Sequence, residues 1–450
     1  MERSKSAVLS AFYGQGGRGG EGWNHKDGSL RMYNVLVFGM TENPGGVESF
    51  LMNYYRRIDR SRFHFDFLCN SYDPVAYEDE IHAMGGRTIH FTSRRQNPIR
   101  FRRELQTFFE KHAKEYQAIW VNVNSLANID YLKMAKKYGI SRRIIHSHNA
   151  QNMDTRLRGM LHEANRGKVG SYATDFWACS DYAAKWFYAG RGGKGSLRHP
   201  AVVIRNAIDV EVIQAGIGRR DQYRAMAGTE AMKAMKAMKD AESGTSGACG
   251  WSDKFILACI GRLHFQKNQK FAIDVLAKLL PVMPDARLLL IGQGEDEEML
   301  RTHVRELNLE EYVYFAGVVT DVAGWLGASD FFLFPSVFEG LGIAGLESQA
   351  AGLPTLASSG VIPQDIAVTE RLQFYPLEKG PAAWAEQVSR MRKDLPARPL
   401  LPEDPMWKKL ADDFTEKGYN SAAETARLEK LLLGTENGDS GNDHEKTDIG

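Results

Sequence analysis

The sequence predicts an α/β fold of two doubly wound parallel-sheet domains facing a cleft. Three observations lead there. Short apolar runs alternate with helical stretches across most of the 450 residues, the order that a parallel sheet with helical crossovers requires. The alternation breaks after Asn206-Ala207-Ile208-Asp209 and resumes at Phe255, so it comes in two sets. A chain of this length is also long enough for two domains that each bury a core.

The first set opens at 34–38 (NVLVF), an apolar run that reads as a short buried strand. Gly39 to Gly46 follows as a loop, and a helix opens near Val47. Further strand-like runs lie at 63–68, 87–90, 118–121, 143–146, 176–178 and 202–204, with helical stretches between them. The second set has runs at 255–260, 287–291, 312–315, 331–334 and 355–357. Between the sets, 211–252 holds AMKAMKAMK from Ala231 to Lys239 and then Glu242-Ser-Gly-Thr-Ser-Gly. The repeat puts a methionine at every third residue, a stripe that drifts around a helix instead of forming one face. A helical spacer ending in a flexible linker is favoured over a methionine-rich partner surface. The expected organisation is a leader at 1–31, a first domain at 32–210, the spacer at 211–252, a second domain at 253–400, a helical segment at 401–434 and a tail at 435–450. Leader and tail lack an apolar pattern and are expected to be disordered.

Composition narrows the function classes. The formal net charge is +1, so nothing global points to nucleic acid. Arg94 to Arg103 (RRQNPIRFRR) is a local basic cluster with Ile99 and Phe101 interleaved, a pattern that suits anionic lipid as well as a solvated helix face. Cys69, Cys179, Cys249 and Cys259 show no paired spacing, which favours reduced thiols over disulfides or zinc. No apolar run approaches the ~18 residues that a membrane-crossing helix needs. Residues 1–30 lack the apolar core of a signal peptide, so a cytoplasmic protein is expected, with peripheral contact at the inner face of the plasma membrane as its one membrane role.

The chemistry is concentrated between Phe331 and Ser359, FFLFPSVFEGLGIAGLESQAAGLPTLASS. A strand ends at Pro335, a loop carries Glu339, Gly340, Leu341 and Gly342, and a helix follows with Glu347 in its early turns. The two glutamates sit at the carboxyl end of a parallel strand, where open α/β sheets bind ligands. They are at most roughly 12 Å apart along a helix at 1.5 Å per residue. That span lets one carboxylate hold a sugar's hydroxyls and the other a ribose, with helix-start N–H groups facing a diphosphate between them.

This segment resembles the E-x7-E signature of retaining GT-B glycosyltransferases of the family-4, glycosyl transferases group 1, type. The match includes the strand-Pro-Ser before Glu339, the Glu-Gly-Leu-Gly, and the Ala-Gly-Leu-Pro that closes the helix. The resemblance implies two Rossmann-like domains, with the carboxyl-terminal helices at 407–433 crossing back onto the first. It implies a donor that is a UDP- or GDP-sugar, a saccharide or lipid-linked acceptor, no cofactor and no metal. Within Gly261-Arg262-Leu263-His264-Phe265-Gln266-Lys267-Asn268, which resembles the family's GRL…QKN segment, Arg262 and Lys267 would hold the diphosphate. They would neutralise the charge that grows on the leaving group.

Gly45 and Gly46 resemble the family's glycine-bearing loop, where missing Cβ atoms admit donor phosphates to the backbone. His148, in RIIHSHN, aligns with a histidine that lines the reaction centre, and His146, on the same strand face, is held in reserve. The pair has no acidic or cysteine partner in sequence, so it is not read as a metal site. The loops at Gly292 and at Gly317-Val318-Val319 would cradle the nucleotide base. Gly292-Gln293-Gly294-Glu295 resembles a dinucleotide fingerprint only superficially, because Glu297 replaces the third glycine and carboxylates crowd the helix start. Gly190 to Ser196 fails as a P-loop, since Lys194 is followed by glycine. The rival readings are a catalytically silent sugar-nucleotide- or partner-binding homologue and another GT-B enzyme, such as an epimerase or a phosphorylase. The intact Arg262, Lys267, Glu339 and Glu347 set argues against silence.

Overall fold

The computed structural model describes residues 32–149, 155–188, 201–238, 250–396, 398–401 and 403–435. The expectations for the leader, the Gly190–Ser196 segment, the Gly/Ser linker and the tail beyond Thr435 lie outside the described residues.

The first sheet contains β1 (Tyr33–Phe38), β2 (Phe63–Cys69), β3 (Arg87–His90), β4 (Ala118–Val123), β5 (Arg142–Ser147), β6 (Asp175–Ala178) and β7 (Val202–Val203). Their order is β3-β2-β1-β4-β5-β6-β7. The second sheet contains β8 (Phe255–Ile260), β9 (Ala286–Ile291), β10 (Val313–Gly317), β11 (Phe331–Phe334), β12 (Thr355–Ser358) and β13 (Leu372–Tyr375), in the order β10-β9-β8-β11-β12-β13. Every pairing is parallel. Parallel strands are covered by helices on both faces, so they read as continuous apolar runs. Val35, Leu36 and Val37 are fully buried, as are Phe331, Phe332 and Leu333. In each sheet the strand order reverses beside the first strand, between β1 and β4 and between β8 and β11. Loops leaving those strands open a crevice at the carboxyl ends.

The short edge strand β13 was absent from the sequence reading. Its four residues, LQFY, carry a glutamine and are mostly half-buried, so they lack the unbroken apolar run of the central strands. The expectation of a spacer at 211–252 is corrected over 211–228, and Val210, expected in the first domain, joins that stretch. Val210, Ile213, Ala227 and Trp251 belong to the second domain's core. A Cβ on Gly216 would lie 2.0 Å from the Ala323 carbonyl oxygen, so two backbones touch there. Arg220 and Arg224 both bind Asp330, each at 2.5 Å. The helix Arg220–Met238 continues into the AMK repeat.

The carboxyl-terminal helices divide their allegiance. Pro405–Glu416 packs on the second domain, with Phe414 in its core. Only Ser421–Leu433 reaches the first domain, where Leu428, Leu431 and Leu432 join the core. Cys69 and Cys259 are buried free thiols whose pKa burial pushes up to about 12. Among the described residues no helix is long and apolar enough to cross a membrane.

Candidate active site

The site forms where the loops after β8 and β11 meet. Lys267 Nζ donates to Glu339 Oε1 at 2.6 Å, and Ser336 Oγ donates to the same oxygen at 2.7 Å. The side chains are 21% and 6% exposed respectively, so this is a largely buried ion pair. Glu339 Oε2 has no partner among the described residues. One carboxylate oxygen is thus neutralised and the other keeps its acceptor capacity. The two loops are laced together around the pair. Val337 N donates to Gln266 O at 2.7 Å, Gln266 Nε2 to Phe338 O at 3.1 Å, and Asn268 Nδ2 to Pro335 O at 3.1 Å. Asn268 starts the helix Gln269–Leu279 with φ +57°, a left-handed conformation that asparagine tolerates better than most residues. Gln266 and Asn268 were not singled out from the sequence, although both fall inside the quoted QKN stretch.

Arg262 stands apart from that pair. Its side chain is 70% exposed and ion-pairs with Glu295 at 3.1 Å. The Glu295 carboxyl is held below its usual range first by its own backbone N–H and then by Arg262 and His264. Gly292 turns out to serve packing: at φ +133° its Cβ would sit 2.1 Å from Gly261 O. Gly294 would meet Leu263 O at the same 2.1 Å. Gly292 N also donates to Gly317 O at 2.8 Å, so the loops after β8, β9 and β10 form one rigid rim. Val318 is exposed on that rim.

Glu347 lies in the helix Ile343–Ala350, begun by Gly342 at φ +88° with no side-chain cap. A Cβ on Gly342 would press on Phe334 at 3.2 Å, whereas Gly340 faces open space. Leu341 packs half-buried against the second domain's core. The neighbours of Glu347 hold this helix still. Gln349 Nε2 donates to Gly345 O and Ile366 O, both at 2.8 Å, and its Oε1 accepts from Val368 N and Thr369 N, both at 3.0 Å. Ser348 Oγ bonds Thr355 Oγ1 at 2.8 Å. Glu347 itself is half-buried and has no side-chain partner among the described residues. Burial without a compensating donor raises its pKa to about 7.

That shift has a stability consequence. The unfolded chain releases this proton near the ordinary glutamate value, roughly 4.3, while the folded chain keeps it to about 7. The folded state binds the extra proton between those values, so the group's contribution to stability falls as pH rises through that window. Glu347→Gln should therefore stabilise the fold by on the order of 2 kcal/mol at pH 8 and leave it nearly unchanged at pH 4.5. Urea unfolding at both pH values checks this; equal effects at the two would count against it.

Across the cleft, Gly45 and Gly46 start the helix Gly46–Tyr55, and both are exposed. A Cβ on Gly46 would meet nothing within 4 Å, so the protein's own packing does not require glycine there. His148 follows β5. Its Nε2 faces Asn122 Oδ1 at 2.9 Å, and its ring meets Phe50 edge-on at 4.7 Å and His146 at a tilt at 4.3 Å between centroids. Burial lowers its pKa to about 3. The ring is therefore neutral, with Nε2–H donating to Asn122 and Nδ1 left as an acceptor. His146 is a core residue: fully buried, with Nδ1 accepting from Trp120 Nε1 at 3.3 Å.

Residues 254–394 match the family described as Glycosyl transferases group 1. The second domain is a group 1 glycosyltransferase domain. This glycosyltransferase domain contains the Lys267–Glu339 pair, Arg262 and Glu347. EpsF of Bacillus subtilis (strain 168), named as a glycosyltransferase, is 27% identical over 354 residues, 77% of this chain and 85% of that one. The UDP-Gal:alpha-D-GlcNAc-diphosphoundecaprenol alpha-1,3-galactosyltransferase of Escherichia coli is 26% identical over 160 residues, 35% of this chain and 36% of that one. The crystal structure of Anabaena HepE in complex with UDP superposes with a TM-score of 0.62 at 15% identity, covering 90% of this chain and all of that one. The architecture around the glycosyltransferase domain is GT-B, two parallel-sheet α/β domains.

Proposed function

We propose that this chain is a retaining hexosyltransferase that moves a sugar from a UDP- or GDP-sugar to a saccharide or lipid-linked acceptor in polysaccharide or glycoconjugate biosynthesis. The observation that carries the reading is the largely buried Lys267–Glu339 pair at the strand-order reversal, with Glu347, which has no side-chain partner among the described residues, eight positions on in sequence. In this reading Glu339 Oε2 accepts from donor-sugar hydroxyls, and Glu347 accepts from the ribose, whose hydroxyls supply the donors it lacks. Lys267 and Arg262 bind the diphosphate, so the positive charge is already in place when negative charge develops on the leaving group. The helix start at Ile343 and the loop Gly340 to Gly342 give backbone N–H groups to the phosphates. Gly45 and Gly46 admit the diphosphate from the first domain, and the base rests against Gly292 and Val318. His148, neutral, lines the acceptor side of the cleft. The acceptor hydroxyl attacks the anomeric carbon from the face that the leaving diphosphate departs, as the C1–O bond to phosphate breaks, and the leaving phosphate oxygen takes the hydroxyl's proton, which retains the anomeric configuration. The Escherichia coli relative's UDP-sugar donor and diphosphoundecaprenol-linked acceptor support this substrate class.

Calorimetry with free UDP and GDP separates the two glutamates. Glu347→Ala deletes hydrogen bonds from a charged acceptor, roughly 1.5–3 kcal/mol, and should weaken nucleoside diphosphate about 10–10²-fold. Glu339→Ala should leave that affinity within twofold while transfer fails, because its partner is the sugar. Equal losses in both variants, or no binding of either nucleotide by the unaltered chain, would refute the assignment.

The acceptor class also accounts for a groove of about 870 Å³ on the first domain, between the helices Pro98–His112 and Asp130–Lys137. Ile99 is 82% exposed there, and Arg102 and Arg103 have no ion-pair partner among the described residues. The cytoplasmic enzyme would use this face for peripheral, electrostatic contact with the inner leaflet. Vesicles containing anionic lipid should sediment the protein at low salt and release it at high salt; binding insensitive to both would argue against that contact.

A further inference from the structure

The chain crosses between the two domains at 205–209 and again at 417–420, and the two crossings pair with each other through Ile208 N to Tyr419 O and Ser421 N to Ile208 O, both at 2.9 Å. Each domain grips 205–209 by a different part. From the first domain, Tyr54 Oη donates to Arg205 O at 2.7 Å and Asn53 Nδ2 to Ala207 O at 3.1 Å. Both donors lie at the end of the helix that Gly46 starts. On the other side the Arg205 guanidinium ion-pairs with Asp365 at 3.1 Å and lies 5.2 Å over the ring of Tyr419. Asp365 belongs to the turn Gln364–Ile366 of the second domain. Ile366 in that turn is fully buried and lies where a Cβ on Gly345 would meet it at 3.1 Å. Its carbonyl accepts from Gln349, so the turn is fastened to the helix that carries Glu347. A continuous chain of contacts therefore runs from the glycine-started helix, through Arg205 and Asp365, to the Glu347 helix.

This joint is not saturated. Asn206 Oδ1 and Asp365 Oδ1 are buried and receive no donor among the described residues. Buried acceptors are nearly always satisfied. Two bare ones at a single joint mark a place where the pairing can change. Arg57 with Asp209, and Ile208 with Tyr419 and Ser421, tie the segment to its neighbours, while Arg205 is the side chain of this segment that reaches the turn at Asp365. Arg205 suits that task, since its fork and planar face engage Asp365 and Tyr419 together.

We propose that Arg205 is a positioning residue: by pairing with Asp365 it sets the orientation of the first domain's Gly45-Gly46 helix against the second domain's Glu347 helix. The consequence of that orientation for transfer rests on the function proposed above.

The test uses the full chain. Solution X-ray scattering of Arg205→Ala and Asp365→Asn should show a larger radius of gyration and a broader pair-distance distribution than the unaltered protein. Arg205→Lys should recover part of the original profile, and the exchange Arg205→Asp with Asp365→Arg should recover more. Thermal melts identify any variant that has simply unfolded, in which case the exchanged pair and the lysine variant decide. In transfer assays Arg205→Ala should lower kcat/KM about 10–10²-fold through misalignment, with UDP and GDP affinities unchanged within twofold. Scattering that superimposes on the unaltered protein, or an exchanged pair that recovers nothing, overturns the proposal. Failure of the unaltered chain to bind UDP or GDP would instead overturn the proposed function, and the scattering result would stand apart from it.

Discussion

Lys267→Ala should lower kcat by about 10²–10³-fold, the loss typical of removing one preorganised charge from a developing anion. It should also weaken the fold. Glu339 is only 6% exposed and would keep a single donor, Ser336. Leaving one partner of a buried pair uncompensated costs about 3–5 kcal/mol in dry interiors. Lys267 is itself 21% exposed, so solvent can reach the gap, and about 2–3 kcal/mol is the expected loss here. Adding Glu339→Gln to that variant removes the stranded charge. The double variant should regain most of the stability and none of the transfer. Urea unfolding beside a transfer assay separates the two effects; a double variant no more stable than Lys267→Ala would show that the pair is not the buried unit described.

Arg262→Ala should match that loss in kcat, about 10²–10³-fold, yet leave stability nearly untouched. The side chain is 70% exposed and its ion pair with Glu295 lies at the surface. Exposed pairs of this kind contribute about 0–1 kcal/mol. Arg262→Lys should restore only part of the rate, because an ammonium cannot present the guanidinium's two parallel donors to a diphosphate. The contrast between the two cations is the decisive feature, since a similar rate defect should come with a stability defect in one and not in the other. A kcat within threefold of the unaltered enzyme for Arg262→Ala would remove it from the diphosphate site.

Most of the fold was legible because parallel strands are buried on both faces. NVLVF and FFLF announce themselves as apolar runs, and twelve of the strands fall where such runs predict. LQFY at β13 was missed because an edge strand is only half covered. Residues 210–228 were misread because their chief signal, a small residue allowing two backbones to touch at Gly216 and Ala323, has no periodicity. The contact of Gly292 with Gly261 is of the same kind, since a missing Cβ there lets the backbones of two neighbouring loops pass within van der Waals distance.

The strand and helix alternation, the two-domain plan, and the residue types of the candidate site, Arg262, Lys267, Glu339 and Glu347 on strand-end loops and a helix start, can all be read from local patterns of burial and turn chemistry. That Lys267 and Glu339, 72 positions apart, meet at 2.6 Å comes from long-range packing. Packing also leaves Glu347 with no side-chain partner among the described residues and carries Arg205 across to Asp365. The reason is physical. Local periodicity tells a residue which face of its strand or helix is buried, but not which strand lies beside its own. β8 and β11 are neighbours because the sheet's order reverses there, and that choice is made by packing of the whole sheet between its helices.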